Sequence, residues 1–260
     1  MSFFLYLPYT SPHYPVCPLP EFHGQGDCGA YGEFLIETDH HIGSILKFLK
    51  TSGLDDNTMI VFTSDNGPEK VWKDRIKKYK HYSRGPYRGG KRGIYEGGHR
   101  VPFFVCWPAG IMSPGRAWDR PVGQVDLLAT FAELTKATLP DTAEEDSQSF
   151  ASVLLDPVSN ASRLPLINHS SNGRFSVTDG DWKLIMAHGQ KKLELYDLGL
   201  DEGEKTNLID THPIKVKKLT DQITNIVTNG RTTPGNSQSN DTGYWKDLTW
   251  IAEEEYRSVE

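Results

Sequence analysis

The chain has 260 residues, a formal net charge of −6 and a sequence pI near 5.9, with 37% hydrophobic residues. That length can bury one large core, or one core with a small subdomain. The acidic balance argues against a nucleic-acid partner, and no apolar run approaches the length of a membrane span.

Phe3 to Leu7 reads as a short buried strand, and Pro8, Pro12 and Pro15 then fix an irregular loop. The start lacks the basic n-region of a signal peptide, and its apolar stretch ends at Pro8. Opening in mid-strand sets the expectation of further sequence upstream. His13 lies at the centre of the loop. Loop histidines are commonly solvated or packing residues, but one held between prolines past a strand end is also a candidate acid or hydrogen-bond donor.

Cys17, Cys28 and Cys106 form no CxxC pair. Cys17 and Cys28 are either bridged or free, and Cys106, inside the run VPFFVCWP, reads as a core thiol. Tyr31 to Leu49 has helical spacing, with Tyr31, Phe34, Leu35, Thr38, Ile42, Ile45, Leu46 and Leu49 on one face and Gly53 as the stop. Asp39, His40 and His41 lie within it as surface or helix-packing residues.

Met59 to Thr63 reads as a buried strand that Ser64-Asp65-Asn66-Gly67-Pro68 stops abruptly. Strand, helix and strand in this order predict a βαβ unit in a mainly parallel sheet. Ligands in open α/β sheets bind outside the carboxyl ends of strands. Asp65 and Asn66 offer the hard oxygen that Ca²⁺ and Mg²⁺ prefer, although the same residues also suit a plain turn. Glu69 to Arg84 is basic and reads as a solvated excursion, or as an electropositive lip for an anionic substrate. Gly85 to Pro102, GPYRGGKRGIYEGGHRVP, sets Lys91 and Arg92 among glycines, so backbone and ammonium could close on a tetrahedral oxyanion. Val101 to Trp107 is a further buried strand.

Asp126 caps a helix with an apolar stripe of Leu127, Leu128, Phe131 and Leu134, and Leu139 to Ser149 is an acidic loop suited to a boundary. Arg174–Thr178, Trp182–Ala187 and Leu193–Leu198 predict an antiparallel meander. Pro213 to Asn229 is a helix with Gly230 as stop and Val216, Leu219, Ile223, Ile226 and Val227 facing the sheet. The polar tail after Gly230 has Trp245 and Trp250 to pin it back. Asn160, Asn168 and Asn240 begin glycosylation triplets, a pattern that also arises by chance. The fold class is therefore α/β: a partial mixed or parallel sheet with flanking helices in residues 1–140, then a small antiparallel sheet packed by one helix in residues 141–260.

FTSDNGP after an apolar strand, followed by YRGGKRGIYEGGHRVPFFVCWPAG, resembles the sulfatase family of the alkaline-phosphatase-like superfamily. FFLYLPYTSPHYP, VDLLATFAELT and GDWKLI…LELYDLGLDEGEKTNL resemble it in the same order. The resemblance implies that Asp65 and Asn66 are metal ligands, for Ca²⁺ with Mg²⁺ as the alternative. Lys91 would hold a sulfate oxygen, His13 would assist the leaving oxygen, and Arg92 would line the sulfate site. The family also uses a formylglycine made from a Cys-x-Pro-Ser-Arg segment and an amino-terminal Asp pair, and neither is in this sequence. The chain thus resembles the carboxyl-terminal part of a sulfatase, inactive alone, with the amino-terminal half of the catalytic domain as the missing partner and apolar surface exposed where early strands would pack. A sulfated small molecule or carbohydrate is the implied substrate, and a secreted, periplasmic or lysosomal location is implied. A phosphodiester or phosphonate ester hydrolase of the same superfamily, and a noncatalytic remnant that binds anions, are the alternatives.

Overall fold

The computed structural model describes residues 2–239 and 243–257, so the Asn240 triplet lies outside the described residues. The chain divides into two compact units. One comprises Met1–Ile60, Val71–Ser83 and Val105–Ala109; the other comprises Val61–Lys70, Arg84–Phe104 and Gly110–Glu260. Residues 110–140, grouped by sequence with the first domain, fall in the second unit.

The first unit is built on α1 (Ala30–Thr51). Its end is a Schellman motif: Gly53 adopts φ 66°, Gly53 N–H donates to Lys50 O at 3.1 Å and Leu54 N–H to Leu49 O at 2.9 Å. Two glutamates of α1 hold the incoming loop, with Glu37 accepting from Leu19 N–H and Glu33 from Gly24 N–H, both at 2.9 Å. Phe22 is buried edge-on against His40 and His41, which pack at the helix surface as expected. The apolar stripe of α1 is less buried than its spacing predicts: Leu35 and Leu46 are exposed.

A second helix, α2 (Trp72–Tyr79), forms in the basic stretch that reads in sequence as a solvated excursion or an electropositive lip. It is held by one buried residue, Arg75, whose guanidinium lies 3.7 Å from the Tyr31 ring centroid and whose Nε donates to Ser83 Oγ at 2.7 Å. Lys73, Lys77, Lys78 and Lys80 stay exposed.

Phe3 to Leu7 is not a strand. All five side chains are exposed, because strand composition stabilises a strand only where a neighbour supplies the ladder hydrogen bonds. Cys17, Cys28 and Cys106 are free. Cys106, expected in a core, is exposed.

β1 (Ile60–Thr63) pairs with β2 (Phe103–Cys106) in a two-stranded sheet. Neither is the buried strand its apolar composition predicts. Phe62 and Phe104 pack side by side, ring centroids 6.1 Å apart, yet are 40% and 64% exposed. Alternation along β2 puts Phe104 and Cys106 on that same uncovered face. Between the strands lies the short α3 (Glu96–His99).

A 3₁₀ turn, Gln124–Asp126, leads into α4 (Leu127–Thr135). Asp126 sits at the N-cap position of α4 but, contrary to expectation, makes no side-chain cap bond there; its carboxylate instead accepts from Gly123 N–H and Gln148 N–H and takes a two-pronged grip from Arg163, with both guanidinium contacts at 2.7 Å. The buried positions of α4 are Ala129, Thr130 and Ala132, while Leu128 of the expected stripe is exposed. The short α5 (Ala151–Leu155) follows.

The predicted meander is present and gains a strand. β3 (Leu166–His169), β4 (Phe175–Asp179), β5 (Trp182–Ile185) and β6 (Glu194–Asp197) pair antiparallel in sequential order. Asp179 faces Trp182 across a two-residue turn, where Gly180 takes φ 60°. α6 spans Pro213–Asn229 and stops at Gly230, φ 66°, as the sequence predicts. Leu219 and Ile223 of α6 meet Val177, Leu184, Met186 and Leu195 in the main core. The opposite face of the sheet, at Ile185 and Tyr196, packs on Ile94. The tail folds back through Trp250, whose indole N–H donates to Thr224 Oγ1 at 3.2 Å, and ends in α7 (Glu253–Arg257). Trp245, the other candidate pin, is exposed.

Candidate functional site

Asp65 and Asn66 sit on the turn that ends β1, and that turn is tied to the glycine-rich loop. Gly67 N–H donates to Gly98 O at 3.0 Å, and Lys91 N–H donates to Pro68 O at 2.9 Å. The approach requires glycine: a Cβ on Gly67 would lie 1.9 Å from Gly97 O. Gln124 Nε2 adds a 2.6 Å bond to Ser64 O from the 3₁₀ turn before α4. The structure thus brings Asp65, Asn66, Lys91 and Arg92 into one tied segment of the second unit.

Lys91 and Arg92 are the middle residues of a turn closed by Gly93 N–H to Gly90 O at 2.9 Å. Arg92 has φ 71°, a left-handed conformation usually left to glycine or asparagine at such a position. A strain of about 1–3 kcal/mol of this kind persists only where surrounding contacts enforce it. Here Arg92 O accepts from Ser171 N–H at 3.2 Å, and its guanidinium pairs with Glu69. The hydrogen bond from Lys70 N–H, with that from Arg92, holds the Glu69 carboxyl below the usual carboxylate range. Arg92 therefore already has an anionic partner. The Lys91 ammonium has no hydrogen bond or ion pair among the described residues.

The Asp65 carboxylate is exposed and accepts no hydrogen bond from the described residues, and Asn66 spends its amide N–H on Gly67 O at 3.2 Å, leaving Oδ1 to accept. Two adjacent hard oxygens suit Ca²⁺ or Mg²⁺ in kind. They supply only part of a shell of about six to eight oxygens. No group of three or more His, Cys, Asp or Glu with metal-binding geometry occurs among the described residues. The donor set fits two neighbouring ligands of a hard cation, not a whole cage.

His13 belongs to the first unit. It lies between cis peptide bonds at Ser11-Pro12 and Tyr14-Pro15, with its N–H bonded to Thr10 O at 2.9 Å. Its ring Nδ1 lies 2.7 Å from Tyr14 O, which can only accept, so the proton sits on Nδ1 and Nε2 points a lone pair outward in the neutral ring.

What the sequence did not reveal is the support beneath the loop. Lys183, wholly buried on β5, reaches Glu96 Oε1 at 2.8 Å and Glu204 Oε1 at 3.0 Å, and Glu204 Oε2 accepts Glu96 N–H at 2.7 Å. Beside it, burial, reinforced by the Lys183 charge, pushes His99 down to about 4. A second anchor runs from Arg88, which stacks 3.8 Å from the Tyr95 ring and donates to Tyr196 Oη at 2.9 Å, to Glu194. Burial alone would raise the Glu194 carboxyl; hydrogen bonds from Tyr196 and Arg174 carry it below its usual value. The signal available in sequence was a lysine at a core-facing position of an apolar strand, which requires buried carboxylates to pair with it.

The fold is a mixed α/β architecture of the alkaline-phosphatase-like kind. A solved Bacteroides thetaiotaomicron sulfatase, from a locus for metabolism of multiple glycosaminoglycans, superposes with TM-score 0.75 at 32% identity over 85% of this chain and 49% of its own. A sulfatase family model matches residues 1–137, and a model of the C-terminal part of N-sulphoglucosamine sulphohydrolase matches residues 88–232. The chain belongs to the sulfatase family. It is 34% identical over 244 residues to the N-acetylgalactosamine-6-O-sulfatase of Bacteroides thetaiotaomicron, covering 87% of this chain and 47% of that protein. A structure solved with its substrate D-glucosamine-2-N,6-O-disulfate shares the fold at TM-score 0.62 and 22% identity, over 75% of this chain and 39% of its own. The chain spans about half the length of the curated relatives it matches. Among the described residues no helix is long and apolar enough to cross a membrane.

Proposed function

We propose that this chain supplies the sulfate-holding half of a sulfuric ester hydrolase whose substrate is a sulfated carbohydrate. The observation that carries the reading is the unpaired Lys91 ammonium, presented on a strained turn and tied through Pro68 to the Asp65-Asn66 turn. In this reading Lys91 binds a non-bridging sulfate oxygen, and Asp65 and Asn66 contribute two oxygens to a Ca²⁺ or Mg²⁺ ion that would offset charge on the same group. His13 Nε2, protonated in the imidazolium, would hand a proton to the departing alkoxide. Arg92 serves mainly to hold the turn through Glu69. The sulfatase match over residues 1–137 supports ending the catalytic α/β domain near residue 140, with 141–260 as its C-terminal subdomain. The sulfated sugar class is supported by the names of the relatives, and an exported or lysosomal setting accompanies that reading as an expectation.

No Cys-x-Pro-Ser-Arg segment occurs in the sequence. Cys106-Trp-Pro-Ala-Gly shares only the Cys-x-Pro spacing and lies on β2. The nucleophile and the remaining metal ligands would come from a polypeptide that carries that segment, and the 260-residue chain alone is expected to turn over no sulfate ester. Calorimetric titration with inorganic sulfate tests the site. Binding that Lys91→Ala abolishes is the expected result. Sulfate binding indifferent to Lys91→Ala, or aryl sulfate turnover by the purified chain that Asp65→Ala removes, would sink the reading.

A further inference from the structure

We infer that the surface around Trp245, His169 and Asp247 is a carbohydrate subsite that holds the uncharged pyranose ring of a sulfated saccharide beside the Lys91 loop. The inference rests on the proposed sulfate role of Lys91 and adds where the sugar goes.

Trp245 is 45% exposed although the segment that carries it is firmly held. Leu248 N–H closes a turn onto Trp245 O at 2.9 Å, Leu248 and Ile251 are buried, and Thr249 Oγ1 donates to Ala187 O at 2.8 Å. The indole is oriented by its N–H, which donates to Asp247 Oδ2 at 2.9 Å. Asp247 Oδ1 lies 3.1 Å from His188 Nε2. The His169 ring stands nearly perpendicular to the indole, centroids 6.0 Å apart and interplanar angle 83°, and is itself backed by Phe175 at 4.4 Å. An exposed aromatic face, an oriented carboxylate and two imidazoles are thus fixed by three separate stretches of chain.

This combination matches a sugar ring rather than an anion. A pyranose offers weakly positive C–H groups on one face, which settle on the negative π-face of an indole, and a rim of hydroxyls that donate to a carboxylate. Asp247 would repel a sulfate, whereas Lys91 attracts one. The two are neighbours through the β3–β4 turn. Ser171 N–H donates to Arg92 O at 3.2 Å, and a Cβ on Gly173 would lie 2.4 Å from Asp247 Oδ2. Ser171 and Gly173 are two residues apart, a span of at most about 7 Å. Asn172, exposed on that turn, adds an amide between them. The charges are therefore sorted along one surface, a cation for the sulfate and a carboxylate with an aromatic plane for the ring. His169, His188 and Asp247 do not form a metal-binding group.

The test titrates the full chain with three probes: inorganic sulfate, N-acetylgalactosamine 6-sulfate and unsulfated N-acetylgalactosamine, with the Trp245 indole N–H resonance followed by NMR. The sulfated sugar is expected to bind more tightly than inorganic sulfate and to shift the Trp245 signal, as the unsulfated sugar does weakly. Trp245→Ala should weaken the sulfated sugar about tenfold, with Trp245→Phe recovering part of the loss and inorganic sulfate unaffected. Equal affinity for sulfate and sulfated sugar, or no loss in Trp245→Ala, would overturn the subsite while leaving the Lys91 reading intact. A Trp245 response to the unsulfated sugar without any sulfate binding would overturn the Lys91 reading and keep the subsite. Silence with all three probes would overturn both.

Discussion

β2 and β5 are both four-residue strands of largely apolar composition, and they meet opposite surroundings. β5 lies inside a four-stranded sheet with α6 on one face and Ile94 of the glycine-rich segment on the other, so Lys183, Leu184 and Ile185 are fully buried. β2 pairs with β1 in a two-stranded sheet, and Phe104 remains 64% exposed. A two-stranded sheet is marginal by itself, whereas three or more strands packed by a helix sustain a core. The difference teaches that the glycine-rich loop has its buried support in the C-terminal sheet rather than in the strand that precedes Asp65. Ile94, Glu96 and His99 all rest on residues of β5, on residues of the later turn, or beside them.

The largest effect should therefore come from Lys183. Lys183→Met leaves Glu96 and Glu204 facing each other in a buried site without their cation. Breaking a buried ion pair from one side costs about 3–5 kcal/mol. Burial already raises the Glu204 carboxyl against the pull of Lys183, so the variant should protonate it. Urea unfolding monitored by tryptophan fluorescence should show that loss at neutral pH, with part of it recovered in a Lys183→Met/Glu204→Gln double variant. Equal stability of wild type and Lys183→Met would break the comparison, because the loop would then not depend on β5.

His99 gives the next effect and a pH signature. Its folded-state value is depressed to about 4 from an ordinary 6.5. The folded chain therefore binds fewer protons than the unfolded one between those values, so stability rises with pH through that window. The contribution is complete above about 6.5 and lost as pH falls through about 4, and it amounts to roughly 3 kcal/mol. Glu204 acts with the opposite sign, since its raised value favours folding on the acid side. The measurement is thus a difference: the slope of unfolding free energy against pH from 4 to 6.5 in wild type minus that in His99→Gln. A positive difference sharpens the picture of a dry support beneath the loop, and no difference would mean that His99 is hydrated.

Much of this was legible in local sequence. α6 declares itself by Pro213 in its first turn, Gly230 after its last and an apolar stripe between them. The meander shows through alternation and Gly180, and Asp65, Asn66 and Lys91 through their place at a strand end and among glycines. β3 was missed because four residues between Pro165 and Ser170 give too short a pattern. α2 was missed because its anchor is not a stripe but a single arginine stacked on Tyr31 of another helix. The Lys183 network was invisible for the same reason: its members lie far apart in sequence and only the sheet brings them together. Phe3–Leu7 shows the reverse error, since strand composition does not supply a strand partner.

The smallest effect belongs to β2, and it is the sharpest check on the comparison because it is matched to a core site. Ile223→Ala on α6 removes a fully buried side chain and should cost about 2–5 kcal/mol. Phe104→Ser removes a larger side chain, but one already mostly in water, and should change stability by no more than about 0.5 kcal/mol. It should also raise solubility, because Phe104 and Phe62 make a contiguous exposed aromatic pair. Chemical denaturation of both variants, together with the soluble fraction after concentration, reads the contrast directly. If Phe104→Ser destabilises as much as Ile223→Ala, the aromatic pair is covered in solution, and some surface of this chain or of a second copy shields the strand that positions Asp65.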